Sequence, residues 1–169
     1  MLNRRQFVGR TVAASAALAA PMIASSRILG ANDAIRVGVV GCGVRGAHHI
    51  DRFGRQEGVQ IAAVCDPDRS RTALAATRVN ERFKNTPARH ADPRKMIEQG
   101  ELDVIAVATM QYWHALPTIW ACQAGMDVYV EKPLAHFVYE GRQMVRAARK
   151  YNRLVQIGTQ ARSRKSDIE

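Results

Sequence analysis

The chain has 169 residues, 47% of them hydrophobic, enough to bury the core of one ordinary globular domain and too few for two large ones. The formal net charge is +10, but Arg4, Arg5, Arg10 and Arg27 lie in an N-terminal segment without acids, which leaves 21 basic against 15 acidic residues, a moderate excess of six. No helix-turn-helix, zinc-finger or RNA-binding signature accompanies that charge, so no nucleic-acid partner is expected. Three widely spaced cysteines, Cys42, Cys65 and Cys122, exclude a disulfide framework and a C-x-x-C site, and read as small buried hydrophobes. The five histidines show no paired-ligand spacing, so no metal is expected.

The chain opens with Asn3-Arg4-Arg5-Gln6-Phe7-Val8, a twin-arginine pair followed by an aromatic and an apolar residue, ahead of an Ala-rich run over 12–24. This predicts a twin-arginine export signal and spacer over residues 1–31, with the mature protein in the periplasm or otherwise exported. A cytoplasmic protein with a basic N-terminus is the alternative. Small residues and Pro21 make the run a poor spanning helix, which needs about 20 strongly apolar residues. Two small-x-small sites, Ala17-Leu18-Ala19 and Ala24-Ser25-Ser26, leave the cleavage point open. Because this route carries folded proteins, a cofactor made in the cytoplasm can be bound before export.

The apolar run from Ile35 then empties into Gly41-Cys42-Gly43-Val44-Arg45-Gly46, a G-x-G-x-x-G turn entering helix-compatible sequence. Gly41 permits the tight turn, Gly43 lets backbone approach a pyrophosphate, and Gly46 lets the next helix sit close to the sheet. A pyrophosphate there rests on unpaired N–H groups at the positive end of the helix. The next apolar run, 59–65, ends at Asp66, whose carboxylate accepts from both adenosine ribose hydroxyls and repels a 2′-phosphate. NAD is therefore expected over NADP. Arg69 and Arg71 lie just beyond; they read either as neutralisers of a phosphate or as solvated residues on the next helix.

Helix is predicted over 70–83 and a short edge strand over 88–91, then a helix from Pro93 to 99 with Gly100 as its stop. The continuous apolar run 104–108 suits a parallel strand buried on both faces. A helix over 115–124 ends at Gly125, a strand follows over 126–130, a helix over 139–151 and a last strand over 154–157. In that last helix Arg142, Arg146, Arg149, Lys150 and Arg153 read as a solvated face, with Met144, Val145 and Ala148 turned inward. The alternation predicts an α/β fold over 35–160, a doubly wound, mostly parallel sheet of the Rossmann type.

Ligands of such sheets sit beyond the carboxyl ends of the strands. Those ends carry Thr109, Met110, Gln111 and His114, then Glu131-Lys132-Pro133, then Thr159 and Gln160. The Glu-Lys pair closes a buried strand and is followed by Pro133, which stiffens the backbone and is compatible with a cis bond.

Together the glycine turn, Asp66, Thr109-Met110-Gln111-Tyr112-Trp113-His114 and Glu131-Lys132-Pro133 resemble the N-terminal half of the glucose-fructose oxidoreductase, inositol dehydrogenase and rhizopine catabolism family, Gfo/Idh/MocA. The resemblance covers about 35–160. It implies that Gly41, Gly43, Val44, Arg45 and Gly46 cradle the pyrophosphate, that Asp66 holds the adenosine ribose, and that Thr109, Met110, His114, Glu131 and Lys132 line the nicotinamide end. Met110 stands where the family often has Pro. The resemblance further implies an exported oxidoreductase acting on a sugar, cyclitol or related polyol, with Lys132 as catalytic residue and His114 in a positioning role. Lys132 would polarise the reacting oxygen or assist proton movement, given a dry setting beside another cation.

Family enzymes continue into a second, substrate-binding domain. Residues 161–169 read as its start, so a truncated, inactive product is expected. A free-standing dinucleotide-binding module, or a subunit borrowing its substrate domain from a partner chain, is the alternative. The expected partners are a nicotinamide dinucleotide, the twin-arginine export machinery and, given a second domain, a sugar or polyol; a homo-oligomer is left open.

Overall fold

A computed structural model of the protein describes residues 34–99 and 101–160. The export motif, the helix stop at Gly100 and residues 161–169 lie outside the described residues.

Six strands, β1 (Ile35–Val40), β2 (Val59–Cys65), β3 (Ala88–His90), β4 (Val104–Val107), β5 (Asp127–Glu131) and β6 (Val155–Gly158), form one sheet in the order β3-β2-β1-β4-β5-β6. Every pairing is parallel, where the sequence predicted a mostly parallel sheet. The crossovers are α1 (Val44–Gly54), α2 (Arg69–Phe83), α3 (Pro93–Gln99), α4 (Ala115–Gln123) and α5 (Val138–Lys150). No helix among the described residues is long and apolar enough to cross a membrane.

The period-2 alternation of the strands sorts their side chains into two cores. Val37 and Val39 join Ile50, Ile61, Val64, Val79 and Ala106 on the α1–α2 side. Val40, Ile105, Val107, Val128 and Val130 join Met96, Cys122 and Met144 on the side of α3, α4 and α5. Sheet faces covered by helices on both sides explain the unbroken apolar runs. Burial on those faces pushes the Cys65 thiol up to about 12, and burial likewise lifts Cys42 to about 12, so both are inert at neutral pH.

Three expectations need correction. Val145 is 43% exposed and Ala147 is buried instead, because the inward stripe runs through Met144, Ala147 and the half-buried Ala148, with Val145 one residue, about 100°, away from Met144. Arg153 lies past the end of α5, where its guanidinium donates to the carbonyls of Tyr151 (3.1 Å) and Gly125 (2.9 Å); it ties two turns together rather than continuing the helix face. Cys42 is half-buried, since it sits in the turn leaving β1 and not within the sheet.

The chain order reverses between β1 and β4, so their following loops diverge and open a crevice beyond the carboxyl ends of the strands.

Candidate dinucleotide site

The turn from β1 into α1 forms the floor of that crevice. Gly41 has φ +92°, and a Cβ on it would stand 2.6 Å from the Ala108 carbonyl oxygen. A Cβ on Gly46 would stand 1.8 Å from the Gly41 oxygen. Both glycines are thus required by the chain's own packing. Gly43 differs: its backbone is extended, and a Cβ there would meet nothing closer than Arg71 Nη1 at 3.6 Å. Its missing side chain leaves space on the crevice side, as a bound group approaching the backbone requires. Gly43 caps α1 without a side-chain bond, and no acid stands in the first turn, so the N–H groups there remain open to an anion. These features fit a dinucleotide pyrophosphate.

A groove of about 910 Å³ runs over this turn, past Asp66 and Arg71, to Tyr112, Trp113 and Trp120. Asp66 is buried at the end of β2, where its Oδ2 accepts the Cys42 N–H (2.8 Å) and its Oδ1 accepts the Asp68 N–H (3.0 Å). A carboxylate has about four acceptor positions, so capacity remains for a ligand. The two arginines separate: Arg71 lines the groove, while Arg69 does not. Sequence reasoning missed the aromatic wall. Tyr112 and Trp113 are exposed on a 3₁₀ turn (Gln111–Trp113), and the Arg94 guanidinium stands 5.8 Å from the Trp120 ring centre. The available signal was two adjacent large aromatics in the loop that follows a buried strand.

A second cavity of about 310 Å³ adjoins the first and is lined by Arg45, Thr109, Met110, His114, Glu131, Lys132 and Gln160. Lys132 is exposed, and among the described residues it pairs with no acid. The dry setting invoked for it is therefore not supplied by these residues. Met110 is exposed, and the Thr109 hydroxyl donates to its carbonyl (3.3 Å). His114 is buried with Nδ1 2.7 Å from the Pro133 oxygen and Nε2 3.1 Å from the Thr109 oxygen, joining the loops after β4 and β5. The Lys132–Pro133 bond is cis.

Strand alternation turns Glu131 away from Lys132 and towards α1, where it is 4% exposed. Its Oε1 stands 3.2 Å from Arg45 Nε and 2.9 Å from His49 Nε2, and its Oε2 accepts from the Gln160 amide at 2.9 Å. The approach to His49 is close, but neither atom finds an aligned hydrogen bond there. Burial pushes the Glu131 carboxyl up, but the Gln160 amide, Arg45 and His49 outweigh it and hold the group below the usual range. Burial also pushes His49 down, against the pull of Glu131.

The family model described as the oxidoreductase family, NAD-binding Rossmann fold (Gfo/Idh/MocA), matches residues 35–159. The chain belongs to this family. As a Gfo/Idh/MocA Rossmann domain it is 30% identical over 120 residues to a glycosyl hydrolase family 109 protein of Shewanella sp. (strain W3-18-1), a match covering 69% of this chain and 26% of the relative. Glycosyl hydrolase family 109 protein 2 of Shewanella sp. (strain ANA-3) is 33% identical over 112 residues, 64% of this chain and 25% of the relative. The chain thus spans about a quarter of the length of these relatives. Among solved structures, myo-inositol 2-dehydrogenase from Lactobacillus plantarum superposes with a TM-score of 0.72 at 24% identity, over 79% of this chain and 39% of that one. The WlbA dehydrogenase from Bordetella pertussis, solved with NADH and UDP-GlcNAcA, gives 0.69 at 25% identity, over 80% and 40%. The Gfo/Idh/MocA fold class expected from the sequence is thereby established.

Proposed function

We propose that this NAD-binding domain holds NAD along the groove, with Asp66 on the adenosine ribose, and Gly41, Gly43, Val44, Arg45 and Gly46 around the pyrophosphate. Thr109, Met110, His114, Glu131 and Lys132 then belong to the nicotinamide end. The observation that carries this reading is the juxtaposition of the open backbone at Gly43, the uncapped start of α1 and the Asp66 carboxylate fixed beside them. Calorimetry with NAD on the folded protein tests it, and the absence of any binding heat would overturn it.

In the complete reaction the cofactor supplies a hydride acceptor or donor. The chain's own residues orient it, and Lys132, which lines the smaller cavity, polarises an oxygen of a sugar, cyclitol or related polyol or moves its proton once a further surface dries the site. A myo-inositol 2-dehydrogenase and a dehydrogenase solved with UDP-GlcNAcA, both structural neighbours, support that substrate class. NADH absorbance across a panel of sugars and inositols, beside a Lys132→Ala control, checks it.

The curated relatives favour a second reading of the same site, cofactor-assisted cleavage of a glycoside, because they carry a glycosyl hydrolase name. Release of nitrophenol from a nitrophenyl glycoside without accumulation of NADH selects that reading; sugar-dependent NADH selects the first. The twin arginines at 4 and 5 support export of the folded, cofactor-loaded protein.

A further inference from the structure

We infer that Glu131 is a positioning residue that aims Arg45 across the junction of the two cavities; this rests on the dinucleotide reading above. Arg45 is the one Lys or Arg side chain among the described residues that lines both cavities. It therefore stands where the adenosine half of the groove passes into the smaller cavity beside Lys132.

A guanidinium on a long aliphatic stem is a poor anchor unless something fixes it. Glu131 does so from below: its Oε1 is 3.2 Å from Arg45 Nε, an ion pair made at the inner nitrogen of the guanidinium. A terminal nitrogen, Nη1, lies 3.3 Å from His48 Nδ1. Arg45 is 38% exposed at its side chain and lines both cavities, whereas Glu131 is 5% exposed at its own and lines only the smaller one. Both Glu131 oxygens face partners within the protein, although only Oε2 accepts an aligned hydrogen bond. Oε1 is shared between Arg45 and His49, and Oε2 takes the Gln160 amide. A ligand contact at Oε2 would abandon the Gln160 amide, a costly exchange. A carboxylate facing the groove would also repel the phosphates that the start of α1 is built to receive.

The test is calorimetry on the purified chain with NAD, ADP-ribose and AMP, for wild type, Glu131→Gln, Arg45→Met and the double variant. AMP carries the adenosine half with one phosphate. The expected result is that each single variant weakens NAD and ADP-ribose about tenfold while AMP changes less than twofold, and that the double variant is no weaker than Arg45→Met alone. Losses that multiply in the double variant, or an equal loss for AMP, would overturn the positioning role. Should Glu131→Gln fail to fold, Glu131→Asp keeps the charge, withdraws it from Arg45 by one methylene, and must give the same preference for the larger ligands. Failure of the wild type to bind NAD and ADP-ribose overturns the dinucleotide reading and this one with it; binding by the wild type with indifferent variants overturns this one alone.

Discussion

The Asp66 carboxylate accepts the Cys42 N–H at 2.8 Å, so the acid at the end of β2 braces the glycine turn at the end of β1. One side chain thereby holds the shape of the turn and presents charge to the groove beside it. Asp66→Asn separates the two, because the amide oxygen still accepts a hydrogen bond but the charge is gone. The variant is expected to fold and to bind NAD roughly 10–100-fold more weakly, as the loss of a charged hydrogen bond implies. NADP binding is expected to stay level or improve, with Arg71 in the same groove. Titration with both cofactors checks this; equal losses for the two would confine Asp66 to bracing the turn.

Gly43→Ala and Gly46→Ala are expected to fail in opposite ways. A Cβ on Gly46 collides with the Gly41 oxygen at 1.8 Å, so that variant should unfold or melt far below wild type. A Cβ on Gly43 meets only a guanidinium at 3.6 Å, so that variant should melt within about 2 °C of wild type and lose NAD binding by roughly 100-fold. Thermal melts with and without NAD separate the two cases.

His114→Ala removes the side chain that joins the Thr109 and Pro133 carbonyls. Losing a hydrogen bond to a part-buried carbonyl costs about 0.5–1.5 kcal/mol, so the melting temperature should fall on the order of 5 °C. NAD affinity should fall with it, because Thr109 and Met110 lose their anchor. A melt equal to wild type would show that water satisfies both carbonyls.

Acid should destabilise the fold in two consecutive windows. Burial holds His49 below its ordinary value of 6.5, so the unfolded chain binds protons more readily than the folded one as pH falls through 6.5, and stability drops from there. His90, also lowered by burial, adds to the same window. Glu131 is held below its ordinary value of 4.5, so its contribution, full above that pH, is lost as pH falls through the lower folded value. Denaturant midpoints between pH 8 and 5 should fall less steeply for His49→Gln than for wild type. Parallel curves would show that His49 does not titrate with unfolding.

Export, proposed from Arg4 and Arg5, should depend on paired guanidinium groups rather than on charge. Arg4→Lys with Arg5→Lys should leave the protein in the cytoplasm by cell fractionation, and unchanged secretion would point to a general secretory signal.

The fold was legible because the buried strands are short and largely apolar, with Gly41, Asp66 and Pro133 close behind three of them, and the helices between them follow ordinary stop signals; boundaries move by only a residue. The glycines and Asp66 were legible for the same reason, since local backbone geometry constrains them. Facing relations were harder to read. Val145 was placed inward because an apolar residue on an amphipathic helix is read by type, whereas its angle from Met144 decides its exposure. Glu131 and Lys132 both line the smaller cavity, but no local signal reveals that Arg45 and His49, more than 80 residues earlier, wait beneath the glutamate. The aromatic wall was passed over because exposed rings after a strand acquire meaning only when the groove opposite them is known.

The opposed directions of Glu131 and Lys132 make their order, and not merely their presence, a carrier of information. A transposed pair, Glu131→Lys with Lys132→Glu, would conserve composition, charge and strand propensity. It would nonetheless entomb a cation against Arg45 and His49 and hang an anion over the mouth of the smaller cavity. Two adjacent letters at the end of this strand are thus a polarity label, stating which side chain is sealed beneath α1 and which meets solvent.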